Sequence, residues 1–280
     1  MLTIDDKVIA DIGRGFSVPA QPELLLKLQS LMAEDDPDIN VIADTIAQDV
    51  AVSATVLKTI NSPVYGLARS IADIHKAARY IGVNGILSLV TNTLIKRSFK
   101  QNDCGIALEE FWTNASNIAN TNVFIGKSIK QPLSSDKLFS IGLFHDCGIP
   151  VMAMKYDDYT ETYEHAMKTP SETLTSIEES IYQVNHATLG YYVASSWRLP
   201  KDICQLILCH HDRTFLNILT NQSEQYYFAT LKMAENIVHN HKHFRDASDW
   251  AYLQDSIFTL LDIDEEDYQD LLEDSADFQD

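Results

Sequence analysis

Three groups of histidine and aspartate carry the chemistry legible in this sequence: His145-Asp146, His186, and His210-His211-Asp212. Imidazole and carboxylate together suit Fe, Mn, Mg or Zn hydrolytic sites, where the ion lowers the pKa of bound water and polarises a phosphoryl oxygen. A histidine doublet closing an apolar helix also suits the negative end of the helix dipole. His239, His241 and His243 alternate along one polar stretch. Residues two apart do not share a helix face, so a solvated, cationic helix end is expected there rather than three-way chelation. Gly13 and Gly15 form no phosphate loop, because no GKS or GKT follows. Cys104, Cys147, Cys204 and Cys209 show neither a CxxC pair nor zinc-ribbon spacing and read as buried free thiols. No Ser/His/Asp triad can be assembled from residue order alone.

The elements that must hold these residues are helical. Leu24, Leu25, Leu28, Leu31 and Met32 follow one helix face after Pro22. Ile42, Ile46, Val52, Val56 and Ile60 continue the pattern on two short helices, and Ile86, Leu87, Val90 and Leu94 mark another after Gly82-Val83-Asn84-Gly85. Further helices are expected near 109–130, 136–154, 172–183, 186–197, 201–211, 224–242 and 246–260, with a turn and helix start at Asp157-Asp158-Tyr159. No stretch alternates with period two, so the fold class expected is all-α. The three tryptophans and the pairs Tyr191-Tyr192 and Tyr226-Tyr227 sit at helical spacing and read as core. Asn61-Ser62-Pro63-Val64-Tyr65-Gly66 has the makings of a tight helix–helix corner, with Gly66 at positive φ. A boundary near 99–108 gives two closely packed helical lobes, 1–105 and 106–261, and an acidic tail, 262–280.

The formal net charge is −19, with 40 acidic and 21 basic residues. Ten of the acidic residues lie from Asp262 onward, where there is no Lys or Arg, so the body is only moderately acidic. This balance argues against a nucleic-acid polymer as partner, since gripping phosphates needs clustered cations. The tail carries Tyr268, Leu271, Leu272 and Phe278, and a solvated acidic end is favoured over a docked helix. No apolar run of about 18 residues and no secretory leader is evident, so no membrane association and a cytoplasmic location are expected.

Pro19-Ala20-Gln21-Pro22, then Ile46-Ala47-Gln48-Asp49, then the Asn61–Gly66 corner, then Ala77-Ala78-Arg79-Tyr80-Ile81-Gly82 form a succession that resembles the HDOD (HD-related output domain) family, from about residue 15 to about 240. The resemblance implies an HD-domain-like helical bundle, related to the HD and HD-GYP metal-dependent phosphohydrolases, and a role in bacterial signal transduction. Gly142-Leu143-Phe144-His145-Asp146-Cys147-Gly148 looks like the HD doublet helix, and His210-His211 resembles the double-His segment of the HD-GYP branch. The resemblance also exposes departures. Asn114 stands where an HD enzyme presents its first His, and Glu235 where it presents its last Asp. It thus implies a candidate metal set of His145, Asp146, Glu235, His186, His210 and His211, degraded at Asn114. The expectation is an output or scaffold module acting by protein or ligand binding, on a signalling protein or small nucleotide, with no cofactor required. The alternative is a phosphohydrolase using a divalent metal (Fe, Mn, Mg or Zn) on a nucleotide or cyclic dinucleotide, although no basic cluster beside the doublet is evident.

Overall fold

A computed structural model of the chain describes residues 16, 19–168, 173–218 and 221–278; Gly13 and Gly15 lie outside them. Among the described residues every regular element is helical. The chain divides into two compact units, Pro19–Phe99 and Lys100–Asp280, the latter joined by the amino-terminal residues.

In the smaller unit α1 (Glu23–Met32), α2 (Ile39–Ala47) and α3 (Val50–Ile60) surround α4 (Ile74–Ser98). Asp38 and Asp49 cap α2 and α3 by accepting the backbone N–H of Asn40 and Val52 at 2.7 and 2.9 Å. Of the residues of the sequence pattern, Leu25, Leu28, Ile42, Ile46, Val52, Val56 and Ile60 are fully buried, and Leu24, Leu31 and Met32 are half-buried. The corner after α3 is clamped by Asn61. Its Nδ2 donates to the carbonyls of Leu57 and Ile71, its Oδ1 accepts from the Ile71 N–H, and all three distances are 2.7 Å. Gly66 closes the turn at φ 65°, the left-handed region where other residues are strained. α4 is helical from Ile74, ahead of the expected start, with a kink at Gly82 (φ 79°, ψ 172°).

The larger unit runs α5 (Leu108–Ser128), α6 (Ser135–Phe144), α7 (Gly148–Lys155), α8 (Tyr159–Lys168), α9 (Leu174–Tyr182), α10 (His186–Ser196), α11 (Lys201–Cys209), α12 (Phe215–Ile218), α13 (Gln222–His243), α14 (Trp250–Leu261) and α15 (Glu265–Asp274). The helix expected over 136–154 is broken at His145–Cys147. Pro150 explains the break: it has no N–H for the carbonyl of Asp146, and its ring crowds that carbonyl, so the helix stops and restarts at Gly148. Trp112, Trp197 and Trp250 are core residues, 3%, 1% and 2% exposed, and all four cysteines are buried and unpaired.

The acidic end departs from the expected solvated tail. Asp264 and Asp267 form a capping box that starts α15. Tyr268 is 3% exposed, stacks on Trp250 at 5.3 Å, and accepts a hydrogen bond from Asn236 Nδ2 at 2.8 Å. Composition alone favoured solvent; the spacing of Tyr268 and Leu271 on one helix face decided otherwise. The histidines of α13 also differ from expectation. The His239 and His243 rings lie 4.5 Å apart, tilted by 44°, and burial, followed by neighbouring cations, lowers both pKa values, against the cationic end expected.

Candidate metal centre

The break between α6 and α7 puts His145 and Asp146 where two helices end rather than along one. Gly148 follows at once, and a Cβ there would lie 1.9 Å from the carbonyl oxygen of His186. That missing side chain lets α7 press against the first turn of α10, where His186 is the first residue. Gly190 repeats the device against α11: its Cβ would meet Ile207 Cγ2 at 2.9 Å. His210 follows α11 as its C-cap, and His211 comes next. Three chain breaks thus converge, and each supplies side chains to one spot.

One carboxylate oxygen of Asp146 and one ring nitrogen each of His186, His210 and His211 lie within 4.8 Å of one another. Asp146 is the hub. Its Oδ1 is 3.3 Å from His186 Nε2, 3.1 Å from His210 Nε2 and 4.0 Å from His211 Nε2, and its Oδ2 is 3.2 Å from His145 Nε2. His186 Nε2 and His211 Nε2 are 2.9 Å apart. His145 and Glu235 flank the group instead of entering it: His145 Nε2 is 3.3 Å from Glu235 Oε1, and Lys232 Nζ is 2.5 Å from Glu235 Oε2. Asn114 sits half-buried on α5.

The far sides of the His145, His186 and His210 rings are held as well. Nδ1 of His145 donates to the Gly142 carbonyl at 2.8 Å, and Nδ1 of His210 to the Ile207 carbonyl at 2.7 Å. Nδ1 of His186 donates to Glu178 Oε2 at 2.7 Å. A carbonyl or carboxylate oxygen only accepts, so these contacts place a proton on Nδ1 and turn Nε2 inward, the arrangement that outer partners impose on metal-ligating histidines.

Electrostatics divide the group. Burial disfavours charge on Asp146, but the charge of His145 and hydrogen bonds from His145, His186 and His210 outweigh it and hold the carboxyl well below its usual value. Burial also works against His145 and His186. Asp146 and Glu235 nevertheless raise the former, and Glu178 with Asp146 raises the latter to about 10. His210 and His211 are lowered, chiefly by burial. Lys232, 4% exposed, is raised against its burial by Glu235 and Asp249, the latter 2.7 Å away. Lys232 also depresses His211. A cation therefore does stand beside the cluster, where the sequence showed no basic run.

Sequence reasoning missed Glu178, Tyr159, Lys232 and Asp249. The Lys232–Glu235 spacing of three on one helix was the one available signal. Glu178 lies on another helix and Asp249 in the turn before α14, and they left none. The donor set is one carboxylate and three imidazoles, two of them held from behind, and it fits a first-row transition ion better than Mg, which prefers carboxylate, carbonyl and water. Among the described residues no helix is long and apolar enough to cross a membrane.

Residues 18–213 match the HDOD domain family. An uncharacterized protein of Treponema pallidum is 26% identical over 200 residues, which are 70% of this chain and 38% of that protein, so the chain spans well under half of that relative. Two solved structures share the fold. One is a candidate metal-dependent phosphohydrolase from Shewanella amazonensis SB2B, with 18% identity over 98% of both chains and a TM-score of 0.65. The other is a candidate signal transduction protein from Marinobacter aquaeolei VT8, with 16% identity over 98% of this chain and 63% of that one, and a TM-score of 0.70. At such identities the likeness shows the fold alone. With the all-helical architecture and a family match across most of its length, the chain belongs to the HDOD family.

Proposed function

We propose that this HDOD chain is a signal-transduction module that binds one divalent transition-metal ion through Asp146, His186, His210 and His211, and uses the site to hold an anionic ligand rather than to hydrolyse it. The observation that carries this reading is the convergence of those four donor atoms within 4.8 Å. When bound, the ion supplies Lewis-acid attraction for an anion, phosphate or carboxylate. The chain's own residues do the rest. Glu178 and the Ile207 carbonyl aim their histidines, and Lys232 adds positive charge beside His211. Asp146 and His211 keep 26% and 30% of their side-chain surface, so the group opens to solvent on one side and is closed on the other by His186 and His210.

Two features support binding over turnover. Asn114 replaces an imidazole that the HD resemblance calls for. Glu235, at the position of the resemblance's last carboxylate, is engaged by His145 and Lys232. The test is to load the purified protein with Fe, Mn or Zn, confirm loading by elemental analysis, and assay phosphomonoesters and cyclic dinucleotides. No turnover above the same ion in buffer is expected. Turnover abolished by Asp146→Ala would replace this reading with the second one, a metal-dependent phosphohydrolase. The solvent-facing side of Asp146 and His211 favours that second reading, because it leaves room for a water or substrate oxygen.

A further inference from the structure

Glu178 is a carboxylate with no exposed surface, carried on α9, and the four-donor group does not include it. Its oxygens receive three donors. Tyr159 OH, also fully buried, donates to Oε1, while the backbone N–H and the ring Nδ1–H of His186 both donate to Oε2, at 2.9 and 2.7 Å. Two donors of one residue on one oxygen make a two-point clamp. The backbone contact fixes where the residue starts, and the ring contact fixes how the imidazole is rotated. With the ring so held, Nε2 faces Asp146 Oδ1 at 3.3 Å and His211 Nε2 at 2.9 Å.

A bland role is also available to this carboxylate. By accepting the first N–H of α10 it acts as a helix cap and ties α9 to α10. Asn185 already caps α10 by accepting the Thr188 N–H at 2.8 Å, however, and a neutral side chain would tie two helices without placing a carboxylate in the interior. What a carboxylate adds is basicity passed through the imidazole to its other nitrogen, the property that strengthens a histidine as a metal ligand.

We propose that Glu178, braced from behind by Tyr159, is a positioning residue that clamps the His186 ring and so sets its Nε2 as a ligand of the centre. This rests on the metal reading above. The experiment compares full-length wild type, Glu178→Gln and Tyr159→Phe, each stripped of metal and titrated with zinc against a chromogenic chelator. Circular dichroism and melting temperature are read alongside. Gln keeps an acceptor for His186 and loses the charge, so the fold is spared. Binding about 10- to 100-fold weaker in Glu178→Gln is expected, with a smaller loss in Tyr159→Phe. A lowered melting temperature with unchanged zinc affinity would reduce Glu178 to a cap and overturn the proposal. Should the wild type take no zinc, the metal reading fails by itself, and nitrogen-15 NMR of the metal-free protein then decides the clamp. A long-lived Nδ1 proton on His186, lost in Glu178→Met, upholds it; equal exchange in both overturns it.

Discussion

Lys232 and Asp249 lie just behind the cluster and show how this interior tolerates charge. The ammonium is 4% exposed and sits 2.5 Å from Glu235 and 2.7 Å from Asp249. Burial raises the pKa of Asp249, but Lys232 more than offsets it, and the net shift is downward. A carboxyl with a depressed folded pKa stabilises the fold above its unfolded value and loses that contribution as pH falls through the folded one. Asp249→Asn should therefore cost about 3 kcal/mol at neutral pH, the low end for a broken buried pair because Glu235 remains. Urea midpoints would show it, and the gap to wild type should narrow below about pH 4. Equal midpoints at neutral pH would mean that Glu235 alone satisfies Lys232.

At the scale of elements, the centre depends on how closely helices approach. Gly148 lets α7 contact α10 backbone to backbone, and the obstruction to a methyl group there is a carbonyl oxygen 1.9 Å away. Backbone cannot step aside as a side chain can. Gly148→Ala should exceed about 2 kcal/mol of destabilisation, within the usual cost of overpacking, and should weaken metal binding with it. A variant that melts and binds like wild type would contradict the close crossing. The last helix offers an independent test. Tyr268→Ala removes a buried ring stacked on Trp250 and should cost about 3 kcal/mol. An unchanged melting temperature would restore the solvated tail that composition suggested.

Across the whole molecule, the sequence was most informative where physics is local. The apolar periodicity of Leu25, Leu28, Val52, Val56 and Ile60 marked helices whose buried faces are those residues. Asn61 to Gly66 announced a corner because a proline and a positive-φ glycine have few other uses. His145, Asp146, His186, His210 and His211 were visible as types. Which of them share one spot was not, since that follows from three helix ends meeting through Gly148 and Gly190. Glu178 and Asp249 were invisible for the same reason, the one reaching its partner from another helix and the other from the turn before α14. The charge count misled at the acidic end because net charge averages over a helix whose two faces differ.

Whether Asp146, His186, His210 and His211 bind metal is decided by a stoichiometric titration. Stripped wild type and Asp146→Ala, matched by circular dichroism, would be titrated with zinc and their bound metal counted by elemental analysis. About one tightly held ion per wild-type chain and none in Asp146→Ala is expected. A wild type that retains no zinc, or a variant that retains as much, would contradict it.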